Sequence, residues 1–330
     1  MSKYYLEMRI IFGPVLFFIS LLNFTIFSVT GYQSVTSYRI FRKTYVYTNG
    51  LFNDFISRIL NLFKSKISSS DIETLNSIEK NLMSESNLFF DSMKKSGYYI
   101  FKSKINTNYL NELIDDLASM PIYSIKEEKI YTNTEVKDLP EGKLSRQKKD
   151  LLNSNKVLRF ALSKEIILFA QLYLGVKPIC NNIASWITKP LANKDDIQLD
   201  KAAQKFHFDM DKIKFIKFFI YLTDVDSKSG PHIYVESSHK KLPSKFKADG
   251  RFNDNTISTF FQKKSIIEIT GKKGTLIAVD TRGLHKGKPL SNSFRDIIQV
   301  EFCNSLFGRK YNSHKLKKFQ LSQLEQSIIQ

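Results

Sequence analysis

The hydrophobic pattern divides the chain into three stretches. From Ile10 to Tyr38 no residue is charged, and Ile10–Val29 is mostly Ile, Leu, Phe and Val. A helix of about twenty residues is roughly 30 Å long, the thickness of a bilayer core. The stretch predicts a single membrane anchor, and Pro14, Ser20 and Asn23 are tolerated in membrane helices. The alternatives are a buried or surface-lying helix and a cleaved signal peptide. The run is long for a signal peptide, and no clear small-x-small cleavage site follows it. Lys3 and Arg9 precede the run, whereas Arg39, Arg42 and Lys43 follow it. By the positive-inside rule this points to a body on the cytoplasmic face.

Residues 46–175 carry mainly the helical period. Leu51, Phe52, Phe55, Ile56, Ile59, Leu60 and Phe63 recur at helical spacing and form a packing stripe. Ser70, followed by Asp71 and Glu73, reads as an N-cap. In MKKSGYYIF the helix stops at Gly97, Tyr98–Phe101 form a short extended run, and a helix restarts near Asn106. Residues 150–174 read as a helix closed by Gly175, with Pro178 just beyond. Residues 124–147 are charged and carry Pro140 and Gly142, so they read as a surface loop or lid.

After Gly175 the period changes. Short extended runs separated by turn residues cover Ile183–Thr188, Phe206–Met210, Ile216–Thr223, His232–Glu236, Ser265–Ile269, Thr275–Asp280 and Arg295–Phe302. Strands at this spacing predict a sandwich or jelly roll. The tail resumes a helical period at Leu321, Leu324, Ile328 and Ile329, predicting a small docking or membrane-surface helix.

Composition changes this picture only slightly. The apolar fraction of 42% marks a folded chain, and 330 residues suffice for a substantial core. The formal charge is +18, but only ten of the fifty basic residues are Arg and no Arg-rich patch with interleaved aromatics is present. Nucleic acid is therefore not expected as a partner, although a basic face toward anionic lipid or substrate stays open. Cys180 and Cys303 are too few for a disulfide framework and read as reduced thiols.

The chemistry lies in the strand-rich half, which holds all five histidines. His207 and Asp209 are two positions apart and share a face on a strand. Together they are two-thirds of the 2-His-1-carboxylate triad that holds non-haem Fe(II) with three positions open. His285 follows a strand that lies beside the His207 strand in a jelly roll, so it can supply the third ligand. Arg295 alternates with Asp296, so one of them points inward, and Gln299 shares the face of Arg295. His232 and His239 form the rival ligand pair. His314 reads as solvated in the Lys-rich tail. Trp186 reads as core packing, with substrate stacking as the alternative; Lys189 reads as a solvated lysine that could instead reach an anionic substrate.

The motif order resembles the phytanoyl-CoA dioxygenase family of Fe(II)- and 2-oxoglutarate-dependent oxygenases. The residues that carry it are His207-x-Asp209, YLTDVD (221–226), SGPHIYVESSH (229–239), GTLIAVDTRGLHKGKP (274–289) and SFRDIIQVEF (293–302). KKSGYYIF and FALSKEIILFAQLYLGVKPI resemble the family's opening strand and the helix before its barrel, so the likeness covers about residues 85–308. It implies a double-stranded β-helix (a cupin-like jelly roll) with flanking helices. It implies Fe(II) on His207, Asp209 and His285, and 2-oxoglutarate anchored by Arg295 with Gln299 lining the pocket. The implied reaction uses dioxygen, releases succinate and CO2, and hydroxylates an aliphatic carbon of a small-molecule or lipid-derived substrate; no obligate protein partner is evident in the sequence. In the resemblance His232 and His239 occupy turns with structural roles. Asp209 is retained, unlike in halogenases. Two positions depart from the family pattern: Ser237 replaces the Gly of a Gly-Ser-His turn, and Gly287 brings no hydroxyl beside the distal His. The expected organisation is an anchor (1–45), a helical linker (46–84), the oxygenase domain (85–308) and a basic tail (309–330). The rival readings are a cupin-like metal module without 2-oxoglutarate, or a catalytically silent barrel at the membrane.

Overall fold

The structure, a computed structural model, describes residues 3–124, 126–192, 199, 203–243, 246, 250–311 and 321–329, with side chains from residue 12 onward. Two antiparallel sheets face one another. The larger runs in the order β1 (Tyr98–Ile100), β9 (Leu276–Val279), β6 (Phe215–Tyr221), β11 (Arg295–Cys303), β5 (Ile179–Lys189), β4 (Gly142–Arg146), β2 (Ile122–Ser124) and β3 (Lys129–Tyr131). The smaller is β10 (His285–Gly287), β7 (His232–Val235) and β8 (Ile266–Ile269). Phe219, Tyr221, Ile277, Val279 and Ile297 of the large sheet meet Tyr234 and Ile269 of the small one. This is the expected double-stranded β-helix.

Alternate residues of the same strands face outward. Phe218, Ile220, Ile298, Val300 and Phe302 pack under α5 (Ser86–Lys95), α6 (Thr107–Ala118), α8 (Asn155–Ala161) and α9 (Lys164–Leu174). Strands β6 and β11 are thus buried on both faces, which is why FIKFFIY is a nearly continuous apolar run rather than an alternating one, whereas RDIIQVEFC buries Arg295, Asp296, Gln299 and Glu301 among its apolar residues. Helices α1 (Lys3–Thr30), α2 (Val35–Thr48) and α3 (Leu51–Phe63) form a second outer layer. Their Phe24, Phe41, Phe52 and Ile56 share a core with Phe206, Phe208, Met210 and Ile213, and with Ile233 and Val235 of the small sheet. Phe41 and Phe52 are fully buried, and each such phenylalanine contributes about 2–3 kcal/mol by leaving water. Asn53 Nδ2 donates to the Ile213 carbonyl at 2.7 Å, tying α3 to the segment that carries Asp209.

Several expectations change. Phe206–Met210 is not a strand. His207 pairs with His285 as an isolated bridge, and antiparallel register would set Asp209 opposite Gly283, but its N–H bonds the Thr281 carbonyl at 2.7 Å and the ladder breaks. Residues 124–147 are not a free lid, because β3 and β4 add two strands to the large sheet. Gly142, Leu144 and Arg146 are the buried positions of β4; a charge at the third one hides the alternation in the sequence. Residues 150–174 are not one helix either. Helix α7 (Lys148–Asn153) ends at Ser154, which caps α8, and extended backbone at Ser163 separates α8 from α9. The cap of α4 (Ser69–Glu73) is Ser68, not Ser70. Asn106 does cap α6, and Gly97 and Gly175 end their helices in the left-handed region. In the tail, a capping box at Ser322 starts α11 (Gln323–Ile328), the helix after α10 (Asp254–Phe260). Its Ile328 and the following Ile329 are buried in the main core, so the tail helix docks on the body. His314 lies outside the described residues.

Candidate active site

Backbone pairing brings His207 and His285 together: each N–H donates to the other's carbonyl, at 3.0 and 2.8 Å. The imidazole Nδ1 atoms lie 2.9 Å from the Lys205 carbonyl and 3.0 Å from the Gly283 carbonyl. Each carbonyl accepts an Nδ1–H, which fixes the tautomer and leaves the Nε2 lone pairs directed at the common centre. Asp209 completes the group, with Oδ1 3.8 Å from His207 Nε2 and Oδ2 3.5 Å from His285 Nε2. One donor atom from each residue falls within 4.8 Å of the others.

The charge states suit a cation. Burial, reinforced by the neighbouring His285, lowers His207 to about 3. Burial also lowers His285, so both rings are neutral at neutral pH, the form that can bind a metal. Burial alone would raise Asp209, but the Lys217 ammonium and the facing imidazoles outweigh it and hold the carboxyl well below its ordinary value. Lys217, from the middle of β6, donates to Asp209 Oδ2 at 2.7 Å and to Asp211 Oδ2 at 2.9 Å, with Glu301 Oε2 at 3.3 Å. Burial would lower this lysine, yet the three carboxylates raise it well above its ordinary value. Burial pushes Glu301 up to about 7 despite Lys217. An ionised carboxylate and two neutral imidazoles fit a divalent ion with open positions.

The triad lines one side of a cavity of about 240 Å³. Phe219, Ile277 and Ile297 supply apolar wall, and Trp186, Lys143, Gln299 and Arg295 also face it. Arg295 is buried, and its Nη1 donates to the Gly230 carbonyl. Its Nε has no hydrogen-bond partner, and among the described residues no carboxylate pairs with it. Burial, the cost of holding a charge away from water, lowers its pKa. Lys143 lies over the Trp186 ring, 4.2 Å from the centroid. Burial and then Arg295 lower this lysine to about 8, so two cations share that part of the cavity. Gly287 leaves the guanidinium room, since a Cβ there would stand 3.2 Å from Arg295 Nη2.

The structure therefore brings together His207, Asp209, His285, Arg295 and Gln299. Asp296 points the other way, into a two-pronged pair with Arg146 at 2.8 Å on each arm. His232 lines the cavity and stacks on His285 at 5.4 Å, but falls outside the three-residue ligand group. His239 lies beneath Gly97, away from the cavity. Trp186 is at the cavity rather than wholly in the core, and Lys189 is not solvated, because it donates to the Val136, Lys137 and Leu139 carbonyls. Ser237 keeps the left-handed backbone (φ 62°) that explains a Gly there in the family pattern.

Sequence reasoning missed Lys143 and Lys217. Lys217 had a usable signal: a lysine inside an otherwise apolar strand buried on both faces has to meet carboxylates. Lys143 had none, because the strand carrying it was itself hidden.

No curated protein sequence matches the chain. Among solved structures, HygX from Streptomyces hygroscopicus with nickel, 2-oxoglutarate and hygromycin B bound is 12% identical (TM-score 0.47, covering 72% of this chain and 99% of that one). EctD from S. alaskensis with bound Fe is 14% identical (TM-score 0.47, 74% and 83% covered). AviO1 from Streptomyces viridochromogenes Tue57 is 12% identical (TM-score 0.45, 66% and 94% covered). The sequence profile of phytanoyl-CoA dioxygenase matches residues 93–297, more than half of the chain, so the chain belongs to the phytanoyl-CoA dioxygenase family of Fe(II)- and 2-oxoglutarate-dependent oxygenases.

Proposed function

We propose that the chain hydroxylates an aliphatic carbon of a small molecule, with His207, Asp209 and His285 as the iron ligands. Arg295 is the anchor for the far carboxylate of 2-oxoglutarate. The observation that carries this reading is the state of Arg295: a buried guanidinium facing the cavity, with a free Nε and no carboxylate among the described residues. An unpaired buried charge is costly unless a partner arrives, and a planar fork of N–H donors suits a carboxylate. Lys143 beside it adds a second cation for a dianionic cosubstrate.

Bound Fe(II), with 2-oxoglutarate and dioxygen, supplies the oxidising power that ends in succinate, CO2 and a hydroxylated carbon. The protein's part is positional. The Lys205 and Gly283 carbonyls hold the two imidazoles in their metal-binding tautomer. Lys217 holds Asp209 Oδ2, keeping the carboxylate ionised and fixed. Phe219, Ile277 and Ile297 exclude water and seat an apolar portion of the substrate. The test is succinate release under air with Fe(II) and ascorbate, with and without candidate substrates grouped by chemical class. Release in the wild type that disappears in Asp209→Ala and Arg295→Met supports the reading. Metal binding with no 2-oxoglutarate turnover in any protein would favour a cosubstrate-independent module.

A further inference from the structure

We propose that α1 and α3 form a membrane-docking face on which α1 lies along one anionic leaflet instead of crossing the bilayer. Helix α1 carries two apolar stripes on opposite sides. One faces the body: Phe17 meets Phe52 at 5.3 Å, and Phe24 and Phe27 each meet Phe307 at 5.5 Å. In the same row the Ser20 hydroxyl bonds Thr44 at 2.6 Å, and Thr44 donates to the Leu16 carbonyl at 3.1 Å. The other stripe is Val15, Phe18, Leu22, Ile26 and Val29, spaced three or four residues apart on one helical face. These residues are 52%, 69%, 61%, 43% and 81% exposed. A helix resting on a soluble protein is polar on its outer side, so this outer stripe needs a partner. Helix α3 adds exposed Leu51, Phe55, Leu62 and Phe63, and Phe55 meets α1 at Phe17, 5.5 Å away, at the edge of the body-facing row.

Length and composition alone would let Phe12–Thr30 cross a bilayer. Packing argues otherwise. Contacts with the body run from Leu16 to Phe27, about 18 Å of helix on a rise of 1.5 Å per residue. A spanning helix would have to strip off those contacts or draw α2, α3 and the Phe307 loop into hydrocarbon. Lying in the interface keeps every contact and buries only the outer stripe.

Charge selects the kind of membrane. Between residues 8 and 53 there are Arg9, Arg39, Arg42 and Lys43 and no acidic residue; Asp54 is then the one acid before Arg58, Lys64 and Lys66. Arg39, Lys43, Arg58, Lys64 and Lys66 are exposed. Basic residues beside an apolar stripe gain from anionic headgroups. This inference rests on the outer face of α1 and α3 and is independent of the oxygenase chemistry.

The test is flotation of the full chain with vesicles of phosphatidylcholine alone and of phosphatidylcholine mixed with phosphatidylglycerol. The wild type floats with the anionic vesicles, is released by alkaline carbonate, and loses binding severalfold at high salt. The triple variant Phe18→Ser, Leu22→Ser, Ile26→Ser, which removes apolar area without adding charge, binds at least about tenfold more weakly. The pair Leu88→Ser, Phe90→Ser, exposed on α5, binds like the wild type. The replaced α1 side chains are exposed, so circular dichroism of the triple variant matches the wild type; if it does not, the salt dependence and carbonate release of the wild type still decide. The proposal falls if the triple variant floats like the wild type, if carbonate fails to release the wild type, or if the wild type does not float and sediments as a dimer covering this face.

Discussion

Two regions of the molecule bury arginines, and they treat them in opposite ways. Arg146 and Arg282 sit in closed arrangements. Arg146 meets Asp296 through two bonds and also donates to Ser185 and the Leu117 carbonyl. Arg282 meets Asp280 at 2.6 Å and Tyr173 at 3.2 Å, and Asp280 also accepts from the Tyr173 hydroxyl. At the cavity, Arg295 has one carbonyl, and Arg295 Nε, His232 Nε2 and Thr281 Oγ1 are buried without partners. Closed clusters hold the fold; the open one leaves donors free, and in the proposed reading a ligand carboxylate takes them.

The contrast gives a sharp prediction for stability. Arg282→Met leaves Asp280 as an uncompensated buried charge and costs about 3–5 kcal/mol in urea unfolding. Arg295→Met removes a charge with no partner and costs less than about 1 kcal/mol. Equal losses would erase the distinction. Lys217 tests a mixed case, because it is both closed and at the site. Lys217→Met leaves Asp209, Asp211 and Glu301 together and costs about 3 kcal/mol or more in the metal-free protein. Added Mn(II), a non-oxidising stand-in, should recover more melting temperature in this variant than in the wild type, since it takes over neutralisation of Asp209. Equal recovery would place Lys217 outside the site's electrostatics.

Acid titration separates the regions by pH. Burial would raise Asp280, but Arg282 outweighs it and holds the carboxyl at about 2, below an unfolded value near 3.9. A depressed folded pKa contributes stability in full above about pH 4, and that contribution is lost as pH falls through about 2. The loss is about 2–3 kcal/mol, and it should vanish from the difference curve of Asp280→Asn. The smallest effect is expected at Gly287, whose φ permits a side chain. Gly287→Ala sets a methyl 3.2 Å from Arg295 Nη2, so 2-oxoglutarate affinity falls severalfold while the melting temperature stays unchanged. An unaltered affinity would mean that the guanidinium does not meet the cosubstrate from that side.

Much of this was legible in the sequence because period and motif coincide. His207-x-Asp209 places two candidate ligands on one face whether or not the segment is a formal strand, and the bridge to His285 follows from adjacent strands. Arg295 and Gln299 share a face by the period of two, as the cavity confirms. What stayed hidden was hidden by buried charge. Arg146 disguised β4 and with it Lys143, and Lys217, which three carboxylates surround, was passed over inside an apolar strand. The apolar run at the N-terminus announced a lipid-sized helix, but the side of α1 taken by Phe52, Thr44 and Phe307 could only be read once the chain was folded.

The most direct measurement is anaerobic titration of 2-oxoglutarate into Fe(II)-loaded wild type and Arg295→Met, followed by calorimetry and by the visible absorption of the chelate. The wild type should bind, and the variant should keep its iron while losing about thirtyfold or more in 2-oxoglutarate affinity. A variant that binds 2-oxoglutarate as tightly as the wild type would contradict the assignment of the open guanidinium, and with it the reading of the cavity as an oxygenase site.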